Sequence, residues 1–180
     1  MTGDVRVTAA DRSDDAIAGE LERRRRAVAH VAGADVATGA MLCWVLGGTR
    51  FAAPLAAIRH VADAVAATPL PGAPAAVIGV FARRGVIHTL FDPAAVLGVE
   101  RGGGPGTVLL LQHDRPFVAI RVDAVQDVVQ LPTAEMAAAM RGGGIAHMMV
   151  QADDLPITIV DMGRLIGHLT GRNSPTREEG

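Results

Sequence analysis

The hydrophobic pattern changes period near residue 38. Before that point Ile17, Leu21 and Val28 fall at helical spacing behind Ser13-Asp14-Asp15, a hydroxyl cap followed by acids that favour a helix start. Arg24 and Arg25 interrupt the stripe, and the run Arg23 to Arg26 reads as a solvated helix face or as a docking patch. Residues 1–38 are thus an expected extension with a helix, and Ala37 to Gly39 the expected hinge into the next unit.

From Met41 the apolar residues come in short blocks separated by turn formers, which is the pattern of strands. MLCWVL and RFAAPL flank Gly47-Gly48 as a hairpin. LAAIRHVADAV places Leu55, Ile58 and Val61 at spacings of three, compatible with a short helix or a twisted strand. Between Thr68 and Leu97 a Pro-punctuated turn leads into AVIGVF, breaks at Arg83-Arg84-Gly85, and resumes as VIHTLF until Asp92-Pro93. That reads as two short buried strands around a basic, glycine-bent connection, followed by an Asp-capped helical turn.

Downstream, the loop ERGGGPGT precedes TVLLLQ, and His113-Asp114 turns the chain into PFVAIRVDAVQDVVQL. TAEMAAAM predicts one or two helical turns, RGGG ends them, and IAHMMVQ and LPITIV flank a turn at Asp153-Asp154. DMGRLIGHL closes residues 39–171 as a helix, and residues 172–180 are polar enough to fray. Two segments echo each other. RFAAPL resembles RPFVAI with Phe51 on Phe117, a shift of 117 − 51 = 66; VIHTLFD resembles ITIVD with Asp92 on Asp161, a shift of 161 − 92 = 69. A strand–strand–capped-helix unit used twice is the expected cause.

Composition narrows the function. The 180 residues carry a net charge of −2, too little to draw in nucleic acid or an anionic membrane surface. No apolar run approaches the roughly 20 residues of a bilayer span, and the polar N-terminus has no secretion signal core, so a cytoplasmic protein is expected. The only serines, Ser13 and Ser174, stand in the tails, which argues against serine catalysis. Cys43 lies inside an apolar block and reads as an inert core thiol. The histidines at 30, 60, 88, 113, 147 and 168 form no metal-binding spacing, and neither glycine-rich loop continues as a phosphate loop. Asp92 and Asp161 read as helix caps, Asp123 and Asp127 as exposed-face or turn residues. No acid–base pair declares itself, and no enzyme, metal or cofactor is expected.

The order of these motifs resembles the CheW-like domain of bacterial chemotaxis over about residues 40–171. Gly79-Val80, Arg84-Gly85, Asp92, FVAIRVDAVQDVV and LPITIVDMGRLI stand where the family has its corresponding segments. The resemblance implies a mainly β fold of two SH3-like five-stranded barrels packed side by side, with short helices. It also implies a non-catalytic signalling adaptor that binds the regulatory domain of a CheA-type histidine kinase and the cytoplasmic tip of chemoreceptors. Other CheW-like proteins are further expected partners, within arrays on the cytoplasmic side of the membrane but without membrane insertion.

Carried over, the partner-facing residues are Ile58, on an apolar helix before the Pro turn, with Gly79, Val80, Arg84 and Gly85. Two departures join them. His60 stands where the family usually has an acid that pairs with the loop arginine, so Arg84 is expected to lack that partner. Ala82 and Arg83 replace the usual Asn and apolar residue, which makes the loop more cationic. The expectation is a divergent adaptor with a more acidic partner. The alternative is a regulatory or competitor module in another two-component pathway, one that occupies kinase or receptor without activating it. A small-molecule barrel would need a polar pocket of which the linear sequence gives no sign.

Overall fold

The computed structural model describes residues 37–152 and 155–172; the expected leader helix, the Asp153-Asp154 turn and most of the tail lie outside them. The elements are β1 (Thr38–Leu46), β2 (Thr49–Pro54), a 3₁₀ turn (Leu55–Ala57), β3 (Ile58–Asp63), β4 (Val77–Arg83), β5 (Val86–Phe91) and α1 (Ala94–Leu97). There follow β6 (Thr107–Leu111), β7 (Phe117–Val122), β8 (Ala124–Pro132), α2 (Thr133–Met140), β9 (Ala146–Ala152), β10 (Leu155–Val160) and α3 (Met162–Leu169).

The strands form two five-stranded sheets, ordered β8-β1-β2-β10-β9 and β3-β6-β7-β5-β4. The chain starts in the first sheet, crosses at Leu55–Ala57 to build the whole second sheet, and returns at Asp123. Each sheet has one parallel pair, β2 with β10 and β5 with β7. The second sheet rolls until its edges meet: His60 on β3 touches Arg83 on β4 at 2.6 Å. In a flat sheet those edges would stand four strand spacings apart, roughly 19 Å. The fold is mainly β, two SH3-like barrels side by side.

Three apolar clusters explain the continuous hydrophobic blocks. Leu42, Trp44 and Leu46 of β1 face the seam between the sheets, where they meet Leu109 and Leu111 of β6, Ile120 of β7 and Leu165 of α3. Alternate residues Met41 and Cys43 point the other way, toward Leu131, Ile157 and Ile159 inside the first barrel. On β6, Val108 and Leu110 likewise join Phe81, Leu90 and Ala119 inside the second. A strand buried on both faces needs apolar residues at every position, which is why MLCWVL and TVLLL do not alternate. Trp44, with no exposed surface, stacks near Phe51 at 6.2 Å on the seam.

The repeat is present, with one register correction. Asp92 N–H donates to Ala76 O and Asp161 N–H donates to Ile145 O, so the shift of 69 holds for both partners. The two carboxylates differ in register: Asp161 is the N-cap of α3, its Oδ1 accepting from Arg164 N at 3.0 Å, whereas Asp92 stands one residue before the N-cap Pro93 of α1, its Oδ1 accepting from Ala94 N at 3.0 Å. The shift of 66 slips by one residue. Thr158 pairs with Phe51 and its counterpart Thr89 pairs with Val118, so Phe51 is equivalent to Val118 rather than to Phe117. Side chains alternate faces along a strand, and Phe51 and Val118 are both buried whereas Phe117 is only half-buried.

Three other expectations change. Thr38 and Gly39 already pair with Pro132 and Leu131 in β1, so the strand begins inside the stretch expected as a hinge. Ile58 sits on a strand, not a helix: β3 pairs with β6 along its length, and Leu55 and Val61 stay exposed. PFVAIRVDAVQDVVQL is two strands in different sheets, turned at Asp123. Asp123 N–H donates to Val45 O at 2.9 Å, and its Oδ2 accepts from Gly47 N at 2.7 Å and Gly102 N at 3.3 Å. One carboxylate thus ties the hairpin of the first sheet to a loop of the second.

Candidate functional site

The β4–β5 hairpin closes on two residues, Arg84 and Gly85, because Arg83 pairs with Val86. Both have positive φ, 49° and 78°, which is the twist a two-residue hairpin needs. Glycine adopts it freely, whereas an arginine there carries strain of order 1 kcal/mol. Arg84 is exposed at the tip, and Ile87, the most exposed large apolar side chain among the described residues at 67%, lies one pair away opposite Ala82.

The other residues expected at a partner surface have framework contacts. A Cβ at Gly79 would lie 2.4 Å from the Thr68 carbonyl oxygen. That approach exists because Thr68 and Val80 exchange two backbone hydrogen bonds, of 2.8 and 2.9 Å. Val80 is half-buried, and Ile58 packs against the seam cluster. Arg84 has no carboxylate partner among the described residues. The residue that reaches His60 is its neighbour Arg83, the last strand residue, which lies on the same side of β4 as the buried Phe81. A guanidinium only donates, so His60 accepts through Nε2 and carries its ring proton on Nδ1.

Behind this contact lies a cleft of about 230 Å³ lined by Arg59, His60, Arg83, Arg84, Val86, His88 and Leu110. Arg59 is held by Asp114 at 2.7 Å and Gln112 at 3.1 Å, with its guanidinium 5.6 Å from the centre of the Phe117 ring. His88 is buried, stacked on Phe81 at 5.3 Å and tilted against Phe117 at 5.5 Å. Burial, then the charges of Arg59 and Arg83, hold its pKa below the ordinary 6.5. Its Nδ1 has no hydrogen-bond partner, which costs about 1–3 kcal/mol for a buried polar atom.

Sequence reasoning missed Arg59 and His88. The signal for His88 was available: alternation in VIHTLF puts it on the face of Val86 and Leu90, a polar residue on an inward row. Nothing in the linear order brings Arg59 to Arg83, because β3 and β4 meet only when the sheet rolls.

A family model described as the CheW-like domain matches residues 40–170. The chain belongs to the CheW-like domain family. That family is one of non-catalytic scaffolds and adaptors of chemotaxis. A chemotaxis protein CheW of Rhizobium meliloti (strain 1021) is 29% identical over 105 residues, covering 54% of this chain and 68% of that relative. A probable chemotaxis protein CheW of Rhizobium etli is 27% identical over 105 residues, with the same coverage of 54% and 68%. The scaffolding protein TtCheW of Thermoanaerobacter tengcongensis shares the fold, with a TM-score of 0.58 at 18% identity, over 69% of this chain and 90% of that one. The CheW-like segment thus coincides with the two-barrel body. Among its described residues no helix is long and apolar enough to cross a membrane.

Proposed function

We propose that the chain is a non-catalytic adaptor that couples chemoreceptor cytoplasmic tips to the regulatory domain of a CheA-type histidine kinase. It would act in the cytoplasm, recruited to receptor arrays at the membrane. The observation that carries this reading is the Arg84-Gly85 tip, a strained cation without a carboxylate partner among the described residues, beside the exposed Ile87. A guanidinium with a neighbouring apolar side chain suits an acidic, partly apolar protein surface. In this reading Arg84 and Gly85 make contact, His60 and Arg83 brace the tip from behind, and Ile58, Gly79 and Val80 hold the framework. Strain at an exposed arginine is retained where the position has a use.

Calorimetric titration against the regulatory domain of the CheA-type kinase of the same organism tests it. Binding near micromolar strength, about −8 kcal/mol, is expected, and Arg84→Glu is expected to weaken it at least tenfold, about 1.4 kcal/mol. Wild-type affinity in Arg84→Glu would overturn the contact, and no heat at saturation would overturn kinase binding. A second reading follows from His60, which stands where the resemblance to the family implies an acid: a competitor that occupies kinase or receptor without activating. Reconstituted kinase activity separates the two, since a coupling adaptor raises it and a competitor lowers it.

A further inference from the structure

The cleft at the end of the second barrel gathers five basic side chains, Arg59, His60, Arg83, Arg84 and His88, from β3, β4, β5 and the hairpin turn. Only one carboxylate answers them among the described residues, Asp114, and it is bound to Arg59. His60 is used as the acceptor for Arg83 and brings no negative charge. Among the described residues Arg83 and Arg84 therefore leave two positive charges without an anion. Beside them His88, only 6% exposed, has a ring nitrogen without a hydrogen-bond partner.

We propose that this cleft is a binding site for a phosphate-class dianion. Charge and shape both select that class. A phosphate group carries about −1.5 to −2 at neutral pH, close to the two unanswered guanidiniums, whereas a carboxylate carries one charge. Its oxygens point in several directions and can accept from two separate guanidinium forks at once; a carboxylate offers two coplanar oxygens. The volume of about 230 Å³ is ample for a five-atom oxyanion with some water, each water taking about 30 Å³. The strained turn gains a second use, because it sets Arg84 at the rim beside Arg83. Anion binding here is independent of the coupling role and is measurable on the isolated chain.

The test is a magnetic-resonance titration of the full, isotope-labelled chain, following the His60 and His88 rings and the arginine side-chain N–H groups. Three probes are compared at constant ionic strength: inorganic phosphate, phenyl phosphate and acetate. Saturable shifts with either phosphate probe, and none with acetate, are expected. Tighter binding of phenyl phosphate assigns an esterified phosphate as the source, and tighter binding of inorganic phosphate assigns the free ion; both support the site. Arg84→Gln is expected to weaken the binding about tenfold, as for one charge-assisted hydrogen bond, with Trp44 emission unchanged as the check on folding. Unsaturable shifts, an equal response to acetate, or an unaltered titration in folded Arg84→Gln would overturn the proposal.

Discussion

Nε2 of His60 lies 2.6 Å from a guanidinium nitrogen of Arg83, joining the two opposite edges of one sheet. An acid at position 60 would make the same contact with charge. His60→Glu is therefore expected to stabilise the fold slightly, by about 0.2–1 kcal/mol for a partly exposed pair. It would also place a negative charge at the cleft and weaken phosphate binding. Urea unfolding followed by Trp44 fluorescence, with the phosphate titration beside it, checks both effects. Tighter phosphate binding in His60→Glu would contradict the charge argument.

Gly79 and Gly85 are expected to separate framework from tip. At Gly79 a methyl group meets the Thr68 backbone at 2.4 Å, and the bridge to Val80 must open to admit it. Gly79→Ala is expected to destabilise by about 2–4 kcal/mol. At Gly85 nothing stands near the Cβ position, and only the positive φ of 78° is unfavourable, so Gly85→Ala costs about 1 kcal/mol. Equal denaturation midpoints for the two variants would show that Thr68 does not hold β4.

Asp123 is the corner between the barrels. Asp123→Ala removes the acceptor of Gly47 N and Gly102 N and is expected to destabilise by about 2 kcal/mol. Asp123→Asn keeps an acceptor oxygen but loses the charge and is expected to fall between. Guanidinium unfolding midpoints give the order, and an alanine variant as stable as wild type would remove the corner role.

The buried imidazole makes stability depend on pH. His88 holds its proton less readily when folded than the ordinary 6.5, owing to burial and then Arg59 and Arg83. The unfolded chain therefore binds more protons than the folded one in the window below about 6.5, and stability falls as pH drops through it toward the lowered folded value. Above about 6.5 the residue adds no pH dependence. His88→Phe keeps an aromatic ring against Phe81 and Phe117 without a proton to gain. Its melting temperature is expected to rise relative to wild type between about pH 7.5 and about pH 5. A constant difference across that range would assign the dependence to other groups.

Local period and turn chemistry determined much of this protein from the sequence alone. The strand blocks, the tight turns at Gly47-Gly48 and Arg84-Gly85, the short α2 and the carboxylates Asp92 and Asp161 at helix starts depend on residues close in the chain. Even the repeat was legible, because equivalent strands meet equivalent neighbours. Tertiary structure alone decided which face of MLCWVL meets the seam, that Asp123 turns the chain from one sheet to the other, and that β1 and β2 share a sheet with β8, β9 and β10. It also decided the basic cleft. Arg59 and Arg83 sit on strands at opposite sheet edges, so only the roll of the barrel brings their charges to one opening. Linear order records which residues a strand carries; the curvature that sets its edges face to face comes from packing on both sides.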